Sequence, residues 1–351
     1  MQYRKLGRTG LDVSLICLGT MTWGRTNSEA EGHGQIRMAL DAGVNFIDCA
    51  EMYPSPVSPE TFGRTEEILG NWLGANRAER EKLVIATKVT GPNANLKNVR
   101  AETDNGTRLD RASVLAACDA SLKRLKIDHI DLYQVHWPER SVNKFGQLGY
   151  RHNADETPVS IEETLGALGE LVQAGKVRHI GLSNETAWGV AEYLRLADQM
   201  GLPRVQSIQN PYSLLNRSFE VGLAEFSHRA DVGLMAYATL GGGSLSGKYL
   251  NGKQPPGARM TEFWEYYPRY RNANGIRATE RYVDVAKRHG LDPAMMAHAF
   301  VNSRGFLTAN IVGATNLEQL KLALASVDVT LAPEVLEELD YVNKDIPYPC
   351  P

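Results

Sequence analysis

The chain has 351 residues, 43% of them apolar and 23% charged, with a formal net charge of −3. That balance is ordinary for a globular protein and offers no basic block of the kind nucleic acid requires. No apolar run is long enough to cross a membrane, and the opening residues, MQYRKLGRTGLDVS, lack the apolar centre of a signal peptide. Cys17, Cys49, Cys118 and Cys350 are scattered without CxxC or zinc-ligand spacing. No metal site is therefore expected, and a reduced cytoplasmic protein is the simplest expectation.

Residues 2–5 and 11–15 flank GRTG and read as a β-hairpin placed to plug the bottom of whatever follows. Eight short β-branched runs come next. They are ICLGT (16–20), NFIDCA (45–50), LVIATK (83–88), IDLYQVHW (130–137), VRHIGLSN (177–184), VQSIQN (205–210), VGLMAYA (232–238) and NIVGAT (310–315). Helical patterns alternate with them at 29–43, 63–76, 111–125, 160–175, 185–201, 217–229 and 316–326. Residues 277–304 read as two more helices, and 333–344 as a last one. Ser160 and Glu163 have the spacing of a capping box, and Gly43, Gly175 and Gly201 sit where helices should stop.

Strand–helix alternation argues for a parallel sheet. Eight units favour a closed (β/α)8 TIM barrel, one domain over 1–351, above an open doubly wound sheet. The first strand runs into GTMTWG, not the GxGxxG turn of a dinucleotide-binding Rossmann unit. Three segments, 89–110, 138–158 and 239–276, exceed ordinary barrel loops and follow strands, which places them on the catalytic face. Their aromatics, Phe145, Tyr150, Phe263, Trp264, Tyr266, Tyr267 and Tyr270, suit a wall around an apolar substrate.

Asp48, Tyr53, Lys88 and His136 lie at or just beyond the ends of the second, third and fourth barrel strands. A carboxylate, a phenol, an ammonium and an imidazole are costly to bury together without purpose. Reducing a carbonyl takes a hydride on carbon and a proton on oxygen. A phenol with an ordinary pKa near 10 holds a proton at neutral pH, and a neighbouring ammonium favours its release. Lys88 is placed for that, Asp48 to hold Lys88, and His136 to orient the substrate oxygen or relay the proton. Cys49, next to Asp48 in its strand, alternates to the opposite face and reads as a core filler.

CLGTMTWG (17–24), DCAEMY (48–53), ATKV (86–89), SLKRLKIDHIDLYQVHW (121–137), GKVRHIGLSN (175–184), QNPYSLLNR (209–217) and SGKYLNGK (246–253) together resemble the aldo-keto reductases along nearly the whole chain. EMYP, LYQVHWPER, FGQLGY and IQNPYSLLNRSFEVGLAEF resemble the bacterial Tas-like subgroup of that family. The resemblance implies an NADP(H)-dependent oxidoreductase that reduces aldehydes or ketones, with Tyr53 as proton donor.

It also implies the cofactor contacts. Ser183, Asn184 and Gln209 would meet the nicotinamide carboxamide, and Tyr237 would stack on its ring. Thr20, Met21 and Asp48 would approach the nicotinamide ribose. Ala238, Thr239, Leu240, Gly241 and Gly243 begin a glycine-rich loop for the pyrophosphate, with Lys248 beside it. Arg259, Gly313, Thr315 and Gln319 would gather around the 2′-phosphate, near a helix N-terminus. The pattern departs at Gln319, where many members have Arg, at Leu322 and Ala323, where a Glu-Asn pair is common, and at Ala238, where Ser is usual. NADPH is the expected cofactor, with NAD not excluded, and a small carbonyl compound the expected partner. Two other readings stay open. Lys88 could form a Schiff base, as in class I aldolases. Alternatively the barrel binds NADP without turnover and senses redox state for a partner, as some ion-channel subunits of the family suggest.

Overall fold

A computed structural model describes residues 1–93, 96, 99 and 107–351. Part of the long segment expected at 89–110 therefore lies outside the described residues. The chain opens with an antiparallel hairpin, β1 (Tyr3–Lys5) and β2 (Asp12–Ser14). Strands and helices then alternate as β3 (Ile16–Gly19), α1 (Glu29–Asp41), β4 (Phe46–Asp48), α2 (Arg64–Ala75), β5 (Val84–Val89) and α3 (Arg111–Leu125). They continue as β6 (Ile130–Val135), α4 (Ile161–Gln173), β7 (Val177–Ser183), α5 (Ala187–Met200), β8 (Val205–Pro211), α6 (Phe219–Ala230) and β9 (Gly233–Tyr237). After a long excursion containing α7 (Arg259–Glu262) come α8 (Ala273–Arg288), α9 (Pro293–Asn302), β10 (Leu307–Val312), α10 (Leu317–Ala325) and α11 (Pro333–Asp345).

Eight parallel strands close into a barrel in the order β10-β3-β4-β5-β6-β7-β8-β9. The fold is the (β/α)8 barrel with an N-terminal hairpin. The last strand begins three residues before the run read from sequence, and Gly313–Thr315 fall in the loop beyond it.

Alternation sorts the strand residues. Ile47, Ile85, Val89, Tyr133, Val135, Leu182, Leu234 and Val312 point outward into the main core between barrel and helices, and Cys49 joins them. Cys17, Phe46, Val84, Ala86, Leu132, Met235 and Ala309 point inward and pack with Leu6 and Val13 of the hairpin. The hairpin thus stoppers the N-terminal end through this apolar cluster. One or two inward steps further along the same strands, the side chains become Asp48, Lys88, Gln134, His136 and Tyr237. Helix starts are capped by Ser28, Asp110, Ser160, Thr186, Asn272, Asp292 and Asn316. Ser28 forms a full capping box with Glu31. Ser160 caps only one way, because the Glu163 carboxylate accepts from the Arg111 backbone N–H instead.

Candidate active site

At the C-terminal mouth of the barrel, Lys88 is fully buried and its ammonium has three oxygen partners. It donates to Asp48 Oδ2 at 2.6 Å, to the Cys49 carbonyl at 2.7 Å and to the Tyr53 hydroxyl at 3.3 Å. Asp48 is itself fixed through its other oxygen, which accepts from Gln134 at 3.1 Å and from Gln209 at 2.8 Å. Inward positions on β5, β6 and β8 therefore converge on the one buried carboxylate of β4. The short span after β4 brings Tyr53 back over Lys88, whose ammonium lies 4.8 Å from the ring centre. Buried Glu51 holds this span to β5, accepting from the Thr90 backbone N–H at 2.6 Å. The His136 ring meets the Tyr53 ring edge-on at 5.6 Å. Its Nδ1 is buried with no hydrogen-bond partner among the described residues.

Burial dominates the electrostatics. It raises the Tyr53 phenol from about 10 to about 12; the Lys88 charge opposes the rise and the Asp48 charge adds to it. The sequence expectation of a lowered phenol is thus reversed, because desolvation exceeds the help from Lys88. Burial would deprotonate Lys88, but Asp48 and Tyr53 outweigh it and hold the ammonium above its ordinary range. Burial, with the Lys88 charge, pushes the His136 imidazole well below 6.5. At neutral pH the mouth therefore carries a protonated phenol, an ammonium–carboxylate pair and a neutral imidazole.

The residues expected around a nicotinamide cluster beside this set. Tyr237 donates to Asn184 Oδ1 at 2.6 Å, and Asn184 donates to the His136 carbonyl at 2.8 Å and to Ser183 Oγ at 3.1 Å. Asn184 takes a left-handed φ of 52°, which suits Asn better than most residues. Gln209, expected at the carboxamide, spends its amide N–H bonds on Asp48 and on Gln134 Oε1 at 3.1 Å. Thr20 is also turned inward, donating to the Asp48 carbonyl at 2.9 Å. Met21 packs against the small cluster of Ala50, Met52, Tyr53 and Trp137. Gln134 was not among the residues singled out from sequence, although it stands two positions before His136 and so on the same face.

The glycine-rich loop turns through left-handed backbone at Ala238, Gly241, Gly242 and Gly243. Thr239 anchors it, donating to Asn310 Oδ1 at 2.6 Å, while Leu240 begins the turn by accepting from the Gly243 N–H at 3.0 Å. The Lys248 ammonium lies over Gly243, where an added Cβ would sit 3.2 Å from it. Burial, and after it the nearby Arg259 charge, disfavours the Lys248 ammonium, and a Cβ at Gly313 would be 3.8 Å from the Arg259 guanidinium. Neither cation has an Asp or Glu oxygen within 4.0 Å among the described residues. Two like charges without an anion, over a loop that only glycine keeps open, fit a phosphate-bearing group. At the start of α10, Gln319 accepts from both Thr315 N–H and Oγ–H, and Asn316 accepts from the Gln319 N–H. That N-terminus is partly capped by its own side chains.

The expected aromatic wall is only partly a wall. Phe145 packs edge-on against Trp137 at 5.8 Å, and Tyr266 accepts at 3.0 Å from Ser55, two residues after Tyr53. Tyr267 and Tyr270 are buried in the main core, whereas Trp264 lies under Arg271, Phe263 under Arg25, and exposed Tyr150 bonds His152. Among the described residues no cluster of three or more His, Cys, Asp or Glu is arranged for a metal ion, and no helix is long and apolar enough to cross a membrane.

The Aldo/keto reductase family profile matches residues 15–344. The chain is 51% identical to "Protein tas" of Escherichia coli (strain K12), over 100% of both chains. It is 32% identical to the "Uncharacterized oxidoreductase YrpG" of Bacillus subtilis (strain 168), over 97% of this chain and 95% of that one. It is 29% identical to a "Probable voltage-gated potassium channel subunit beta" of Oryza sativa subsp. japonica, over 99% of this chain and 98% of that one. With the closed barrel and the chain of contacts at its mouth, these matches establish that the protein belongs to the aldo/keto reductase family.

Proposed function

We propose that this protein is an NADPH-dependent oxidoreductase that reduces aldehydes or ketones to alcohols, with residues 1–351 acting as one catalytic domain. The observation that carries this reading is the buried relay from Gln134 and Gln209 through Asp48 and Lys88 to the Tyr53 hydroxyl. When bound, the nicotinamide supplies the hydride that goes to the carbonyl carbon. Tyr53 gives its proton to the carbonyl oxygen. The phenol left without its proton is stabilised by the Lys88 ammonium, which Asp48 holds charged and in place. His136 is neutral, so it orients the oxygen by a hydrogen bond and is not the acid. Ser183 and Asn184 would hold the carboxamide, Tyr237 the ring face, Lys248 and Arg259 the phosphates. The preference for NADPH over NADH rests on the two unpaired cations. The Schiff-base alternative fares worse, because Lys88 would have to be a neutral amine and its surroundings keep it charged. The four cysteines are free and buried, which supports a reducing, cytoplasmic setting.

The test is loss of NADPH absorbance at 340 nm with an aromatic aldehyde. Tyr53→Phe is expected to cut turnover by about 100-fold or more, the range of a positioned general acid, with NADPH affinity nearly unchanged. A Tyr53→Phe variant of full activity refutes the assignment. Tight NADPH binding without turnover of any carbonyl would support a redox sensor instead.

A further inference from the structure

The long excursion between β9 and α8 brings Arg269 to the mouth of the barrel. It lies in a short 3-10 turn, Pro268–Tyr270. The preceding turn holds Tyr266, whose hydroxyl is bonded by Ser55, two residues from Tyr53. From the other side comes the segment after β6. A Cβ built on Gly146 would stand 3.4 Å from Arg269 Cβ, and the neighbouring Phe145 packs on Trp137. Arg269 therefore sits where the segments after β4, β6 and β9 meet.

Its guanidinium is 4.9 Å from the centre of the Tyr270 ring and interacts with the hydroxyls of Tyr237 and Tyr270. Tyr237 links directly to Asn184, and Asn184 to the His136 carbonyl. The cation is thus held two side chains from the His136 backbone, at the mouth where that imidazole stands. Its Nη1 is buried and has no hydrogen-bond partner among the described residues, nor does any Asp or Glu oxygen there come within 4.0 Å. The contrast with Arg140 is informative. That arginine, on the rim of the same face, is satisfied by Glu185 at 2.5 Å and 3.0 Å. A desolvated guanidinium with an unused N–H calls for an anion, and its planar fork matches a carboxylate.

We propose that Arg269 anchors a carboxylate carried by the carbonyl substrate. The inference rests on the reductase reading and narrows it to oxo-acids, aldehydes or ketones with an acid group several bonds from the carbonyl. The carbonyl end meets Tyr53 and His136, the apolar middle lies along Trp137 and Phe145, and the acid end takes the free N–H of Arg269. Arg269 is a specificity residue in this arrangement and touches none of the reacting atoms.

The experiment compares kcat/KM, with NADPH, for 2-, 3- and 4-carboxybenzaldehyde against their methyl esters. It is run on the wild-type protein and on Arg269→Gln and Arg269→Lys, with the Kd for NADPH measured in each. The wild type is expected to favour at least one acid over its ester, chiefly through KM. Arg269→Gln should reduce that acid-to-ester ratio by roughly 10- to 100-fold, the worth of a charge-assisted contact, and Arg269→Lys should restore part of it. The wild-type comparison needs no variant and so does not depend on how Arg269→Gln folds. Ester turnover with no acid preference overturns the anchor and leaves the reductase standing. A parallel loss of NADPH affinity and of both substrates in Arg269→Gln assigns the cation to the cofactor and also overturns it. No oxidation of NADPH by any of the six aldehydes sinks the reductase reading and this inference together.

Discussion

Tyr53 and His136 are shifted in opposite directions away from neutrality, which sets the pH behaviour expected of the proposed reduction. Burial lifts the phenol to about 12 and drives the imidazole well below 6.5. The reduction proposed above needs the phenol protonated and the imidazole neutral. Both conditions hold from about pH 6.5 upward, and the first fails only as pH rises toward about 12. Plots of kcat/KM for aldehyde reduction are therefore expected to be flat between about pH 7 and 9. A falling limb near 7 would mean that His136 acts as a charged acid. Arg259 gives a second residue-scale test. If its guanidinium meets a 2′-phosphate, Arg259→Ala should weaken NADPH binding by roughly 10- to 100-fold, by loss of a charge-assisted contact, and leave NADH binding nearly unchanged. Fluorescence titration of the bound dinucleotides separates the two, and equal losses would remove the argument for NADPH preference.

At the scale of elements, the barrel was legible because period-2 alternation and the β-then-α rhythm are local. Asp48, Lys88 and His136 could be found because each ends a strand, where inward residues become polar. Other features depended on contacts that local pattern does not encode. Gln134 carries the same alternation signal as His136 but looks like a core amide until Asp48 and Gln209 are seen around it. Glu163 has capping-box spacing, yet Arg111 from another helix takes its carboxylate. Arg269 belongs to an irregular stretch with no periodicity to place it. Close helix packing is hidden in the same way. Gly70 on α2 lies so near α3 that an added Cβ would stand 2.0 Å from the Arg124 carbonyl oxygen. Backbone cannot yield as a side-chain tip does, so Gly70→Ala must push α2 and α3 apart. A loss of roughly 1–3 kcal/mol is expected from such overpacking, measured by urea denaturation. Unchanged stability would mean that the two helices shift freely, and the α2–α3 contact would not be the constraint it looks to be.

For the whole molecule, the barrel wall is coupled to the outer helices by buried polar groups as well as by apolar packing. Asn310 on β10 points outward, donating to Asn302 Oδ1 at 2.9 Å and meeting His298 Nδ1 at 3.3 Å, both on α9. Its own carbonyl oxygen Oδ1 accepts from Thr239 at the head of the glycine-rich loop. One network thus joins the last strand, α9 and the candidate phosphate loop. Burial lowers the His298 imidazole from 6.5 to about 4, so in the folded protein it stays neutral where the unfolded chain would already be protonated. The sign follows from linkage. A depressed folded pKa gives stability that is fully present above 6.5 and is lost as pH falls toward about 4. His298 alone should cost roughly 3 kcal/mol across that window, and His136, depressed in the same direction, adds to the loss. Tm measured from pH 7.5 down to 4.5 is expected to fall steadily below 6.5. In His298→Gln, which keeps a polar side chain beside Asn310, the decline should be shallower even if the starting Tm is lower. An identical slope in the variant would show that acid sensitivity arises elsewhere and that the α9 network does not sense protonation.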